Sequence, residues 1–123
     1  MKDYLLLSNG CRVEYRVYSS LERRVVVVVA HGCSKLAVKG YSRIYRSVYA
    51  VLPRPGSRLF KDLLMKDVYI GRARCNPEDD FNVLAGREIA VSRLKEKLES
   101  AVSRREVLLA RELRRMASSL DGF

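Results

Sequence analysis

Hydrophobic and polar positions alternate along two stretches of this chain and recur every three to four residues along a third. Over residues 11–18, Cys11, Val13, Tyr15 and Val17 fall on one side and Arg12, Glu14, Arg16 and Tyr18 on the other, the signature of a half-buried strand. Over residues 66–75, Val68, Ile70, Arg72 and Arg74 share one face. Tyr69, Gly71, Ala73 and Cys75 share the other, and its small residues suit the close approach of a helix. Residues 25–29 are an unbroken valine run, which predicts a strand that is central or covered on both faces. Residues 4–7 form a short apolar run, and Asn9-Gly10 after them is the strongest hairpin signal in the chain.

A helix follows the second alternating stretch. Pro77 has no N–H and stops the ladder. Glu78, Asp79 and Asp80 then suit the positive end of a helix dipole, Asp80 or Asn82 can cap, and Phe81 is placed to anchor the corner. Gly86, Ala90, Leu94 and Leu98 recur at i+4, joined by Ile89 and Ala101. A glycine within a helix costs about 1 kcal/mol against alanine, so Gly86 implies close packing on the sheet. The apolar pattern continues through Val102, Leu109, Leu113, Met116 and Leu120, while Ser103 to Glu106 reads as a capping box. The segment 83–120 is therefore one long helix or two. As one helix over 83–119 it would run about 55 Å and offer Val102, Leu109, Leu113, Met116 and Leu120 to a partner, either a second copy or a host protein.

Between these parts, residues 35–39 suggest a return strand closed by Gly40. Tyr41, Ile44, Tyr45, Val48, Val51 and Leu52 fit a helical stripe, and residues 53–56 are a Pro/Gly breaker. Ser57 can cap a short helix carrying Leu59, Phe60, Leu63 and Leu64. The expected fold is a single α+β domain over residues 1–123. A β-rich body spans 1–75 with a helical insertion at 41–65, and a C-terminal helical segment spans 83–120. Its antiparallel sheet packs on a helix, and the C-terminal helix is long or paired.

Gly71, Ala73, Cys75, Pro77, Asp79 and Phe81, followed by Gly86, Ile89, Ala90 and Arg93, form a pattern that resembles small proteins of phages and Gram-positive mobile elements. It is also similar to a domain family described as double-stranded-RNA-binding-like. The resemblance covers under a quarter of the chain. It implies an antiparallel sheet on one helix, a viral or mobile-element source and a place in the host cytoplasm. It also implies phosphate contact near the start of the last helix, but Glu78, Asp79 and Asp80 stand there and only Arg87 is basic nearby. Nucleic acid is therefore expected on another surface.

Charge changes the picture most. The chain carries 24 basic and 14 acidic residues, a net charge of +10. Between Glu22 and Asp62 no residue is acidic. Arg23, Arg24, Lys35, Lys39, Arg43, Arg46, Arg54, Arg58 and Lys61 lie there, so residues 23–61 hold +9 of that total. A block of one sign is the electrostatic footprint of an anionic partner. These nine residues are the candidate nucleic-acid contacts, with DNA and RNA both open. Tyr41, Tyr45 and Tyr49 can stack on bases if exposed, although their spacing is also that of a helix core. Arg104 and Arg105 are expected to matter less, because Glu99 and Glu106 stand near them in sequence.

Catalytic and metal-binding signals are weak. Three widely spaced cysteines, Cys11, Cys33 and Cys75, make neither a disulfide framework nor a metal pair, and suit a reduced, cytoplasmic setting. His31 is the one histidine; it stands two residues from Cys33, but no third orienting group accompanies them. Glu78, Asp79 and Asp80 lack further ligands at a motif spacing. No P-loop or dinucleotide fingerprint is present, nor an apolar run of about 18 residues that could span a membrane. The expectation is a non-enzymatic, cofactor-free protein that binds nucleic acid. The alternatives are a protein-binding modulator that docks on an acidic surface of a host nucleic-acid enzyme or defence nuclease, and a structural homo-oligomer joined through its C-terminal helix.

Overall fold

The computed structural model describes residues 2–39 and 58–121, with the side chains of 58–60, 113 and 116–121 excepted. Four strands, β1 (Lys2–Leu6), β2 (Arg12–Ser20), β3 (Val25–Ala30) and β4 (Tyr69–Arg74), form one antiparallel sheet in the order β1-β2-β3-β4. A short helix, α1 (Arg58–Leu63), precedes β4, and a continuous helix of 39 residues, α2 (Val83–Asp121), follows it. The expected α+β class, an antiparallel sheet on a long C-terminal helix, is the observed one.

Alternation places the faces as read. Val13 and Tyr15 of β2, and Tyr69, Gly71 and Ala73 of β4, are buried on the sheet face that carries α2. Central β3 departs from full cover. Val26 and Val28 are wholly buried, whereas Val25, Val27 and Val29 lie half-buried on the sheet's other face. Valine on both faces hides an alternation that the fold does possess.

The β1–β2 connection is a three-residue loop rather than a two-residue turn. Gly10 N–H donates to the Leu7 carbonyl at 3.0 Å, Leu7 N–H donates to the Cys11 carbonyl at 2.9 Å, and Gly10 takes φ 87°. Buried Asn9 is satisfied within it: its Oδ1 accepts from Cys11 N–H at 3.1 Å and its Nδ2 donates to the Leu36 carbonyl at 3.3 Å.

Helix α2 begins where its cap dictates. Asn82 Oδ1 accepts from the N–H groups of Leu84 and Ala85 at 3.0 and 3.2 Å. Its buried stripe is Ala90, Leu94, Leu98, Ala101 and Val102, while Ile89 points out to solvent, contrary to expectation. A Cβ on Gly86 would sit 2.8 Å from Val26 Cγ2, so the glycine serves close approach to the sheet.

Two further expectations are corrected, and one open alternative is decided. Residues 36–39 form a single helical turn, not a return strand, because adjacent Leu36 and Ala37 are both buried and a strand cannot turn neighbours to one side. Of the two arrangements left open for 83–120, the single helix is the observed one: Ser103 stands exposed in mid-helix while the buried stripe continues past it. Val102 and Leu109 are not offered to a partner. Val102 lies in the main core, and Leu109 packs with Leu63 against Val38 and Leu108. The side chains of Leu113, Met116 and Leu120, and the expected helix at 41–52, lie outside the described residues.

Candidate nucleic-acid interface

Strand β4 is an edge of the sheet, and α2 crosses beside it. The helix presents Arg93, Lys97, Ser100 and Arg104 at i, i+4, i+7 and i+11, a single stripe next to the buried one. Arg93 Nη1 donates to the Arg72 carbonyl at 2.6 Å, and Lys97 Nζ donates to the Ile70 carbonyl at 2.7 Å. These bonds occupy carbonyls on the strand edge and blunt it against further pairing. A carbonyl carries no formal charge, so both cations keep theirs.

Between stripe and edge lies a groove of about 680 Å³ lined by Lys66, Arg72, Arg93, Lys97, Arg104 and Arg105, with Glu96 as its one acid. Arg105 is partly committed to the fold, holding the Leu64 carbonyl at 3.2 Å and the Ala101 carbonyl at 2.9 Å. The other five cations are exposed. None of the six belongs to the ion pairs found among the described residues, Lys2–Glu14, Arg87–Asp3 and Arg115–Glu112. Glu99 and Glu106, expected to dilute Arg104, stand on the far side of the helix at 100° per residue. Glu99 also accepts from Ser8 N–H at 2.8 Å.

The groove continues onto the open sheet face through Arg72, which lies across from Val27 and, beyond it, Tyr18. That face also carries exposed Arg12, Arg16 and Arg74. Arg12 stacks on the Tyr4 ring, its guanidinium carbon 4.3 Å from the centroid.

The expected basic block is not gathered into this surface. Lys61 stands on α1, and four other members sit at opposite ends of β3, roughly 20 Å apart for a strand of this length. Arg23 and Arg24 precede it, whereas Lys35 and Lys39 follow it. Arg23, Lys35, Lys39 and Lys61 are exposed. Arg24 does structural work: its Nη2 donates to Cys75 Sγ at 3.6 Å and to the Asn76 carbonyl at 3.4 Å, tying the β4–α2 loop to the β2–β3 turn. Its φ of 51° is a left-handed value that few non-glycine residues adopt. Arg43, Arg46 and Arg54 lie outside the described residues, as does the side chain of Arg58. The helix cations Arg93, Lys97 and Arg104 are masked in the sequence because they alternate with Glu88, Glu96, Glu99 and Glu106 and cancel in any linear count, and Arg104, expected to matter less, lines the groove. The i, i+4, i+7, i+11 spacing was the signal that could have found them.

The remaining candidates separate. His31 is exposed on the sheet's open side, and Cys33, two residues on, is wholly buried, the chain turning at Gly32 with φ 71°. Burial first, and the Asp67 carboxylate second, push the Cys33 thiol up to about 11, away from the range of a nucleophile. Among the described residues no three His, Cys, Asp or Glu side chains are grouped to hold a metal ion. Arg87, the basic residue near the start of the last helix, pairs with Asp3, and its guanidinium pKa is raised by a hydrogen bond to Tyr15 ahead of the charge of Asp3. No helix among the described residues is long and apolar enough to cross a membrane. No known protein family, curated protein or solved structure matches the chain, so the resemblance drawn on residues 71–93 rests on those residues alone.

Proposed function

We propose that this protein binds nucleic acid without chemical turnover, and that the β4–α2 groove is where it takes the phosphate backbone. One observation carries the reading: five exposed cations and one acid line a single groove, and among the described residues no carboxylate pairs with any of the cations. Cations held together without a neutralising carboxylate repel each other, and a polyanion relieves that repulsion while releasing its own counterions. Lys66, Arg93, Lys97 and Arg104 are the expected phosphate contacts. Such contacts position a strand without reading its bases, so affinity is expected to depend little on sequence. The scattered cations Arg23, Lys35, Lys39 and Lys61 add to the long-range field.

Fluorescence anisotropy with labelled DNA and RNA tests this. Lys66→Gln with Arg104→Gln leaves the edge-guarding bonds of Arg93 and Lys97 in place. The pair is expected to weaken every oligonucleotide severalfold at low salt. Binding no tighter than about 100 μM at low salt, already the weak end of ordinary non-specific affinity, would overturn the proposal. The groove would then fit an acidic protein surface instead.

A further inference from the structure

We infer that the open face of the sheet is a platform for a single strand, so that the preferred ligand is unpaired nucleic acid laid across β2–β4 with its backbone passing into the groove. This rests on the proposed function and adds strandedness to it. The face has three features at once. Val25, Val27, Val29 and Ile70 form a half-buried apolar floor. Tyr18 rises from it, 53% exposed, above a hollow of about 330 Å³ lined also by Glu14, Arg16, Val29 and His31. Arg16, Arg72 and Arg74 stand round the floor, with Arg72 about two strand spacings, roughly 10 Å, from Tyr18.

Each class of occupant meets these features differently. A duplex presents phosphate ridges and keeps the faces of its bases stacked inside, so it would leave Tyr18 and the valine floor without apolar contact. A second copy related by a two-fold axis would set this basic face against another copy of itself. The acid available on that face, Glu14, is already 3.5 Å from Lys2. A single strand supplies both parts: unpaired bases have flat apolar faces for a tyrosine ring, and each nucleotide brings a phosphate for an arginine. The Arg12 guanidinium, stacked on Tyr4, offers a second flat surface for a base.

The test compares Tyr18→Ala, Tyr18→Phe and the Lys66→Gln, Arg104→Gln pair on oligothymidine, oligouridine and a duplex of equal length. Tyr18 is exposed, so its replacement spares the core. Tyr18→Ala is expected to weaken both single strands by about 5- to 150-fold, the range for losing one stacked base. It should leave the duplex unchanged, and Tyr18→Phe should restore binding. The groove pair is expected to weaken all three ligands. Equal affinity for duplex and single strands, or single-strand binding indifferent to Tyr18→Ala, would overturn the platform while leaving the groove proposal standing. Absence of binding to any of the three would overturn both. The ratio between oligothymidine and oligouridine assigns DNA or RNA.

Discussion

Gly71 and Ala90 meet backbone to backbone: a Cβ placed on Gly71 would stand 2.1 Å from the Ala90 carbonyl oxygen and 2.8 Å from Leu94 N. Helix α2 can lie this close to β4 only because the strand has no side chain there. The same closeness lets Arg93 and Lys97 reach the β4 carbonyls and forms the wall of the basic groove.

Gly71→Ala is therefore expected to be among the most damaging single-methyl additions in the chain. The obstructing atoms are backbone, which cannot swing aside, so the loss should reach or exceed the upper part of the roughly 1–3 kcal/mol typical of overpacking. Gly86→Ala faces the Val26 methyl at 2.8 Å and should cost less. Urea melts of the two variants check the order. A Gly71→Ala protein as stable as wild type would contradict the helix–strand contact.

Buried Cys33 makes stability depend on pH in the alkaline range. Its folded pKa, pushed up to about 11 chiefly by burial, lies above that of the unfolded thiol. The folded chain thus keeps a proton that the unfolded chain releases. The contribution is full below about pH 8.5 and is lost as pH rises towards 11, by up to roughly 2–3 kcal/mol. Tyrosine and lysine titrate there too, so the measurement is the difference in urea midpoint between wild type and Cys33→Ala at about pH 8 and about pH 11. Wild type should lose more; parallel losses would contradict this assignment.

Ending the chain before Ser103 removes Leu109 from its packing on Leu63 and the Arg105 bonds to Leu64. Loss of one buried leucine contact of this kind costs about 2–5 kcal/mol, and here it falls on α1. Ala90, Leu94, Leu98 and Val102 remain over the sheet. Amide exchange is expected to quicken over residues 58–65 while β2–β4 stay protected. Uniform loss of protection would show that the last half of α2 holds the whole domain together.

Arg93→Met with Lys97→Met uncaps the Ile70 and Arg72 carbonyls on an edge strand. Both side chains are exposed, so stability should change by about 1 kcal/mol or less. The larger effect is expected in self-association, since a bare edge invites strand pairing. Light scattering across a concentration series should show a rising mass for the variant alone. An unchanged mass would mean that the two bonds do not guard the edge.

Much of the fold was legible because its signals are local. The faces of β2 and β4, the Asn82 cap and the small residues of the α2 stripe each follow from neighbours within a few positions. Val25, Val27 and Val29 were not legible as an open face, because a valine reads the same whether it meets a helix or solvent. The candidate site was largely illegible. It joins Lys66 and Arg72 to Arg93, Lys97 and Arg104, residues brought together only when α2 crosses the β4 edge. The basic run at 23–61 is the stronger linear signal, though Arg23 and Arg24 stand at one end of β3, Lys35 and Lys39 at the other and Lys61 on α1.

The salt dependence of duplex binding tests the central claim most directly. Each neutralised phosphate contributes a log–log slope of about −0.9 on duplex. Lys66→Gln with Arg104→Gln should flatten the slope by about 1.8, two such contacts. Lys95→Gln, on the opposite side of α2, should leave the slope near that of wild type. That pattern would place the phosphates in the β4–α2 groove. A slope unmoved by the groove pair, or moved as much by Lys95→Gln, would contradict it.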